Sequence, residues 1–428
     1  MKVLLIGHAC GPAMGSEPGF TWNWAQYLSR QNEVWVITHP QFRAKIEAYL
    51  SENPNPKIRF VWVDVKSALD SWDPARGERG IRVHYVLWLK AAYAAAQRLC
   101  QESGIDVAHH VSWGTMRAAP PFWQLPVPSV WGPIGGGQCA PARFLGYFGL
   151  VGAGREIVRA CLTRTLYFSS GLRKTARSSA LILATNRETR QLLKSFTGAD
   201  VQLMLDCGLQ TDWVSATPPV DRPVRELTIL WAGRLEHRKA LPLALEALAN
   251  VNGIQARLLI AGSGDLRPRL ETMAGKLGLT GRVEFLGSVP YAMMQSLFER
   301  ADVFLFTSLR DSFGSVVLEA MAKGLPIVTL DHQGVGSFVP DNAGIKVPVT
   351  NPKKTVRSLA AAIEKLAKSP AVLFGMRLAS WSFAREQTWS RRAEQMTKIY
   401  QELAARRSQT PHSPSGRSSI AAVASIGL

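Results

Sequence analysis

The sequence predicts an α/β protein built as two domains, each a parallel sheet with helices on both faces. Three observations predict it. Short apolar runs of strand length alternate with helix-patterned segments through both halves of the chain. A proline-rich break over residues 212–226 separates those halves. The 428 residues, 46% of them hydrophobic, suffice for two ordinary domains with a proper core each.

The elements follow in order. Residues 3–6 are an apolar run read as the first strand, and a Gly/Pro loop leads from it to a helix over 20–28. Strands are expected at 34–38 and 58–63, then an alanine-rich helix over 83–102. Further strands fall at 106–111, 128–131, 181–185 and 201–205. The second half repeats the rhythm with strands at 227–232, 256–261, 283–286, 303–306 and 326–329. Such alternation describes two Rossmann-like domains, 1–211 and 227–383, with 212–226 as linker. Residues 384–405 carry an amphipathic helical pattern, and 406–428, rich in Ser, Pro and Gly, are expected to be a disordered tail.

A formal net charge of +18 points to an anionic partner: nucleic acid, a membrane surface or a phosphorylated substrate. Neither a recognition-helix pattern nor an RNP-like pattern is present, so nucleic acid is not expected. Five dispersed cysteines without a C-x-x-C pair fit neither a disulfide framework nor a zinc site and suit a reducing compartment. No cluster of metal ligands is evident. Residues 1–7 read as a strand rather than a signal peptide, and no window reaches the roughly 18 apolar residues of a membrane span.

The chemistry concentrates in the second half. Asp311-Ser312-Phe313-Gly314-Ser315-Val316-Val317-Leu318-Glu319 joins an apolar strand to an apolar helix through a polar turn. In that geometry free backbone N–H groups converge on an anion, and a carboxylate one or two turns into the helix reaches hydroxyls beside it. Phosphate plus vicinal hydroxyls describes a ribose diphosphate or the sugar attached to it. Upstream, the strand at 227–232 runs into Gly233-Arg234-Leu235-Glu236-His237-Arg238-Lys239. Arg234 and Lys239, on the loop leaving that strand, are placed to neutralise a diphosphate leaving group.

Taken together, Gly233-Arg234-Leu235 with Lys239, Ile260 to Asp265, Phe285-Leu286-Gly287 and Asp311 to Glu319 resemble, in order and spacing, the nucleotide-sugar half of glycosyltransferase family 4. The resemblance covers roughly residues 1–402. It implies a retaining enzyme of GT-B architecture, two Rossmann-like domains facing each other across a cleft, with the 384–405 helix crossing back to the first domain. It implies donor contacts from Gly15, Gly233, Arg234, Lys239, Gly287, Val289, Ser312, Phe313, Gly314, Ser315 and Glu319. Glu319 would bind ribose hydroxyls and Asp311 hydroxyls of the transferred sugar; the family usually has Glu where this chain has Asp311. His109 would contact the transferred sugar. It also implies that no metal or other cofactor is required, the nucleotide-sugar being a substrate.

The first domain supplies the facing wall. Gly15 lies in the loop after the first strand, where glycine lets backbone approach a phosphate closely. His109 and His110 end the strand at 106–111 and alternate to opposite faces. The spacing from Asp106 selects His109 by the family's pattern and leaves His110 for the cleft or the acceptor. Gly135 and Gly136, in the glycine-dense stretch after the strand at 128–131, are read as a cleft or acceptor loop.

Residues 141–178 hold Arg143, Arg155, Arg159, Arg164, Arg173, Lys174 and Arg177 against one acid, Glu156. Val158, Leu162 and Leu166 fall on one helical face, so the stretch reads either as a helix in the headgroup layer of an anionic membrane or as a surface helix packing on its own core. Membrane contact through Arg155, Arg159, Arg164, Arg173 and Lys174 would suit a lipid-linked acceptor. The expectation is thus a hexosyltransferase using a UDP- or GDP-sugar, acting on a lipid-linked saccharide or polysaccharide in envelope or exopolysaccharide synthesis, on the cytoplasmic face of the membrane. The competing readings are a sugar-nucleotide epimerase of the same fold and a basic nucleic-acid-binding protein.

Overall fold

The structure is a computed structural model that describes residues 1–70 and 72–409. Its first lobe holds seven parallel strands: β1 (Lys2–Gly7), β2 (Glu33–Thr38), β3 (Ile58–Trp62), β4 (Val107–Ser112), β5 (Ser129–Ile134), β6 (Leu181–Ala184) and β7 (Val201–Leu203), in the order β3-β2-β1-β4-β5-β6-β7. The second lobe holds six: β8 (Leu227–Ala232), β9 (Ala256–Ala261), β10 (Val283–Gly287), β11 (Val303–Phe306), β12 (Ile327–Leu330) and β13 (Gly344–Val347), in the order β10-β9-β8-β11-β12-β13. Every pairing is parallel, and each strand order reverses beside its first strand.

The strands are continuous apolar runs because both faces of each sheet are covered. Leu227, Ile229 and Trp231 of β8 enter one apolar cluster, while Leu230 and Ala232 enter the cluster on the other face. In the first lobe Val3 and Leu5 face the helix Ser16–Leu28, and Leu4 and Ile6 face the helix Ile81–Glu102 through Trp88 and Leu89. Helix starts carry local signals. Asn186 and Asn351 accept hydrogen bonds from the amides of Thr189 and Lys354 at 2.8 and 3.0 Å, and Pro352 takes the first helical position.

Three details differ from the sequence reading. β13 was not foreseen; Gly-Ile-Lys-Val is short and mixed in polarity, which hides an edge strand. The chain enters the second lobe earlier than residue 212: Met204 packs in the first lobe's core, whereas Leu205, Cys207 and Leu209 pack in the second's. Trp213, inside the expected linker, is buried there, stacked on Tyr291 at 4.6 Å and donating its indole N–H to the Glu319 carbonyl at 3.2 Å. Finally, the helix expected over 384–405 is two helices: Pro370–Arg385 ends on the second lobe, and Trp389–Gln409 returns to the first. Trp389, Ala393, Met396 and Tyr400, at helical spacing, bury into the first lobe's core. Arg406 to Gln409, expected to begin the tail, belong to that helix, and residues 410–428 lie outside the described residues.

The two crossings are joined. The Leu209 amide donates to the Gln387 carbonyl and the Trp389 amide to the Leu209 carbonyl, both at 2.9 Å. The carboxyl ends of the two sheets meet at a cleft, where such folds bind ligands.

Candidate active site

Where the lobes face each other, a cavity of about 230 Å³ is lined by Glu17, Gly114, Gly135, Gly136 and Gln138 of the first lobe and by Arg238, Arg310, Asp311 and Ser312 of the second, with Asp206 at the crossing. It is smaller than the roughly 300–1,000 Å³ of drug-sized ligand sites and so of the scale of one sugar ring.

Asp311 is the centre of the second lobe's wall. Its carboxylate accepts from Lys239 and lies 3.4 Å from the Arg238 guanidinium and 3.4 Å from the Ser308 hydroxyl. Its backbone N–H donates to Gln333 Oε1 at 2.6 Å. Burial alone would raise this carboxyl, but the charges of Lys239 and Arg238 outweigh it and hold Asp311 below the usual carboxylate range. The helix Ser315–Ala322 starts immediately after. Its N-cap is Gly314 and no side chain caps it, which leaves first-turn amides open to an anion. Gly314 has φ +94°, and an added Cβ would sit 3.0 Å from the Phe306 ring. Only glycine takes that turn without strain.

Glu319 lies one turn into that helix, close to the exposed Tyr291 ring. Among the described residues no hydrogen bond or ion pair engages its carboxyl. Burial pushes it up to about 7. Ser312 lines the cavity and interacts with Asp206. Ser315 is exposed at the helix start, while Phe313 is fully buried core and contributes backbone only. Gly287 ends β10 with φ +74°, and Val289 packs on the second lobe's core.

The sequence-predicted cations part ways. Lys239 is at Asp311, as described. Arg234 is 76% exposed and pairs loosely with Glu236 at 3.4 Å. Arg238 instead faces the cavity, pairing with Glu236 at 2.7 Å. The short 3-10 turn His237–Lys239 after β8 rotates Arg238 inward, which a reading by spacing missed. Gly233, at φ +157°, precedes that loop.

The first lobe differs more. His109 is buried, with one ring nitrogen bonded to the Tyr400 hydroxyl and the other 2.6 Å from the Gly132 carbonyl. Burial lowers its pKa to about 4, and it does not line the cavity. It is a bolt between β4 and the returning C-terminal helix. His109, expected at the transferred sugar, thus lies on the covered face of β4. His110 turns the other way and meets the Tyr85 hydroxyl at 3.1 Å, also buried and outside the cavity. Gly15 is the uncapped N-cap of the helix Ser16–Leu28 with open space at its Cα. Gly135 and Gly136 do line the cavity, and their loop is tied by the Gly135 amide to Gly114 at 2.8 Å and by Gln138 to the Gly136 amide at 2.7 Å.

Glu17, two residues past Gly15, reaches the cavity and accepts from the Gly114 amide at 3.2 Å. Burial pushes its carboxyl to about 7, helped by the nearby charge of Asp206. Asp206 is raised too, by burial first and by Asp311. The cavity thus pairs Asp311, held below the usual carboxylate range, with Glu17, raised to about 7, and Asp206, raised above its ordinary value. Such groups both donate to and accept from hydroxyls. Asp206 gave no sequence signal, since its partner Ser312 lies a hundred residues on.

Residues 141–178 form the helix Gly149–Thr165 and the helix Ser170–Ser178 with short 3-10 turns before and between. Leu150, Val158, Leu162 and Phe168 are exposed, Leu150 at 96% and Phe168 at 88%, whereas Leu166 of the expected face is half-buried against a first-lobe apolar cluster. Arg155 and Arg164 of this helix and Arg173 and Lys174 of the next are exposed, while Arg159 is half-buried. Glu156, the stretch's one acid, is buried against Arg310 at 3.0 Å. All five cysteines are free, and among the described residues no helix is long and apolar enough to cross a membrane.

Comparison with known proteins places this geometry. Residues 218–376 match the family model described as glycosyl transferases group 1. An uncharacterized glycosyltransferase of Methanocaldococcus jannaschii is 37% identical over 129 residues, 30% of this chain and 33% of that protein. The chain spans a third to under half the length of the first curated relatives it matches. Among solved structures, sucrose-phosphate synthase from Thermosynechococcus elongatus superposes with TM-score 0.64 at 19% identity, over 95% of this chain and 99% of that one. HepE of Anabaena in complex with UDP superposes with TM-score 0.60 at 15% identity, over 94% and 100%. The architecture is GT-B.

Proposed function

We propose, from the match of residues 218–376 to the family model of glycosyl transferases group 1, that the chain moves a hexose from a UDP- or GDP-sugar to a lipid-linked saccharide or polysaccharide with retention at the anomeric carbon. The observation that carries the reading is Asp311, held by Lys239 and Arg238 at the uncapped start of the helix Ser315–Ala322, facing the glycine loops of the other lobe. Binding of UDP by the structural neighbour HepE supports a nucleotide donor.

In this reading the departing diphosphate meets the helix amides, Lys239, Arg238 and Arg234. Stabilising that developing charge is the largest contribution such a site can make. These cations supply the positive charge, so the reaction requires no metal. Glu319, unengaged by the protein, binds the ribose hydroxyls. The transferred sugar fills the 230 Å³ cavity with Asp311 on its hydroxyls. The acceptor enters along Glu17, Gly135 and Gly136. Retention follows when acceptor and leaving diphosphate lie on the same face of the sugar, the diphosphate taking the acceptor's proton. The exposed apolar face of the helix Gly149–Thr165, ringed by Arg155, Arg164, Arg173 and Lys174, rests on the anionic cytoplasmic surface of the membrane.

A panel of UDP- and GDP-sugars, read by calorimetry and by slow hydrolysis without acceptor, tests this. One donor is expected to bind, EDTA to leave hydrolysis unchanged, and Glu319→Ala to abolish both signals. No uptake of any donor by the folded chain overturns the reading, and an isomerised donor in place of a hydrolysed one favours an epimerase.

A further inference from the structure

One face of the helix Gly149–Thr165 carries a charge arrangement that the donor site does not use. Glu156, Arg159 and Thr163 recur at helical spacing and share that face. Glu156 binds Arg310 at the rim of the cavity. At the other end, Arg117 donates to the Thr163 hydroxyl and lies 3.5 Å from the Arg159 carbonyl. Arg159 therefore sits between two arginines, and its guanidinium has no hydrogen bond or ion pair among the described residues. The Arg117 Nε is buried without a partner. Glu156 is the single acid among these side chains, and Arg310 already engages it.

We infer that Arg117, Arg159 and Arg310, with Arg82 beside them, form an anion subsite that takes the phosphate or diphosphate group of a lipid-linked acceptor. The inference rests on the glycosyltransferase reading and names the acceptor's chemistry. Guanidinium forks match phosphate oxygens in pairs, and unpaired donors gathered around one carboxylate are completed by an anion. The cluster's own electrostatics agree. Burial and the charges of Arg310, Arg117 and Arg82 lower Arg159 to about 10, and burial lowers Arg117, with Arg82 and Arg310 adding to it. Position supplies the rest. Arg310 lines the cavity and pairs with Glu156, so it joins the subsite to the site of the transferred sugar. Val158 and Leu162 of the same helix are exposed, and an acceptor's prenyl or acyl chain would lie along them.

Farnesyl diphosphate, titrated by calorimetry into the full chain with the cleft filled by saturating UDP or GDP, tests the subsite. Inorganic pyrophosphate, farnesol and phosphatidylglycerol vesicles are parallel arms. Farnesyl diphosphate is expected to bind more tightly than either of its halves. Arg117→Gln combined with Arg159→Gln should weaken it about tenfold or more with nucleotide affinity unchanged. Arg82→Gln, at an exposed position that cannot unfold the chain, should weaken it about threefold. Unchanged farnesyl diphosphate affinity in these variants overturns the inference. So does pyrophosphate binding as tightly as farnesyl diphosphate, which would mark a site for the free anion, or a loss confined to the vesicles, which would mark a headgroup contact. Failure of nucleotide binding sinks the donor reading separately, because these variants can be read without it.

Discussion

Asp311 and Glu319 stand eight residues apart in one segment and are driven in opposite directions. Asp311 lies below the ordinary carboxylate range despite its burial, because Lys239 and Arg238 flank it. Its contribution is present above the unfolded value of 3.8 and is lost as pH falls through the lower folded one. Glu319 is raised by burial from 4.5 to about 7. The folded state then holds more protons than the unfolded, so stability falls as pH climbs from about 4.5 to about 7. Glu319→Gln is expected to stabilise the chain by about 1–3 kcal/mol at pH 8 and not at all near pH 4, read by urea melts at the two values. Arg238→Ala should weaken the diphosphate donor about tenfold, read by calorimetry, while Arg234→Ala, at an exposed side chain, should cost clearly less. The motif residues were legible because their spacing is local: strand, turn and helix follow one another within residues 303–322. Arg238 and Asp206 were not, because a turn's rotation or a partner more than seventy residues away decides where they point.

At the scale of elements, the helix Trp389–Gln409 determines what the first lobe's histidines can do. It lays Trp389 and Tyr400 against Trp24 and His109, so one face of β4 is sealed. Strand alternation separates His109 from His110, but alternation cannot say which face a distant helix covers. Trp389→Ala should cost about 3–5 kcal/mol in urea unfolding, the range for truncating a buried aromatic. Tyr400→Phe should cost about 1 kcal/mol, by removing only the hydroxyl on His109. The strands among the described residues were nearly all visible as apolar runs, since parallel strands covered on both faces need no alternation. β13 escaped because Lys346 breaks its run.

At the scale of the whole molecule, one helix links the cavity wall to an exposed apolar surface. The helix Gly149–Thr165 sends Glu156 to the second lobe's Arg310 and its apolar residues to the outside. Leu162→Glu with Phe168→Glu should abolish co-sedimentation with phosphatidylglycerol vesicles, and added salt should weaken the unmodified chain's binding. Nucleotide affinity should be unchanged in that variant. Overall charge had already pointed to an anionic partner, but only the structure divides the arginines between the outer surface and the cleft.

The side-by-side crossings at Leu209 and Gln387 carry a consequence for synthesis. The second lobe is, in effect, an insertion inside the first, whose closing helix is the last element described. When residues 1–204 leave the ribosome, the groove beside Trp24 and His109 has no cover, and it waits while the whole second lobe is made. A nascent chain halted short of Tyr400 therefore presents a greasy furrow to chaperones, and the first lobe completes its fold only after the second.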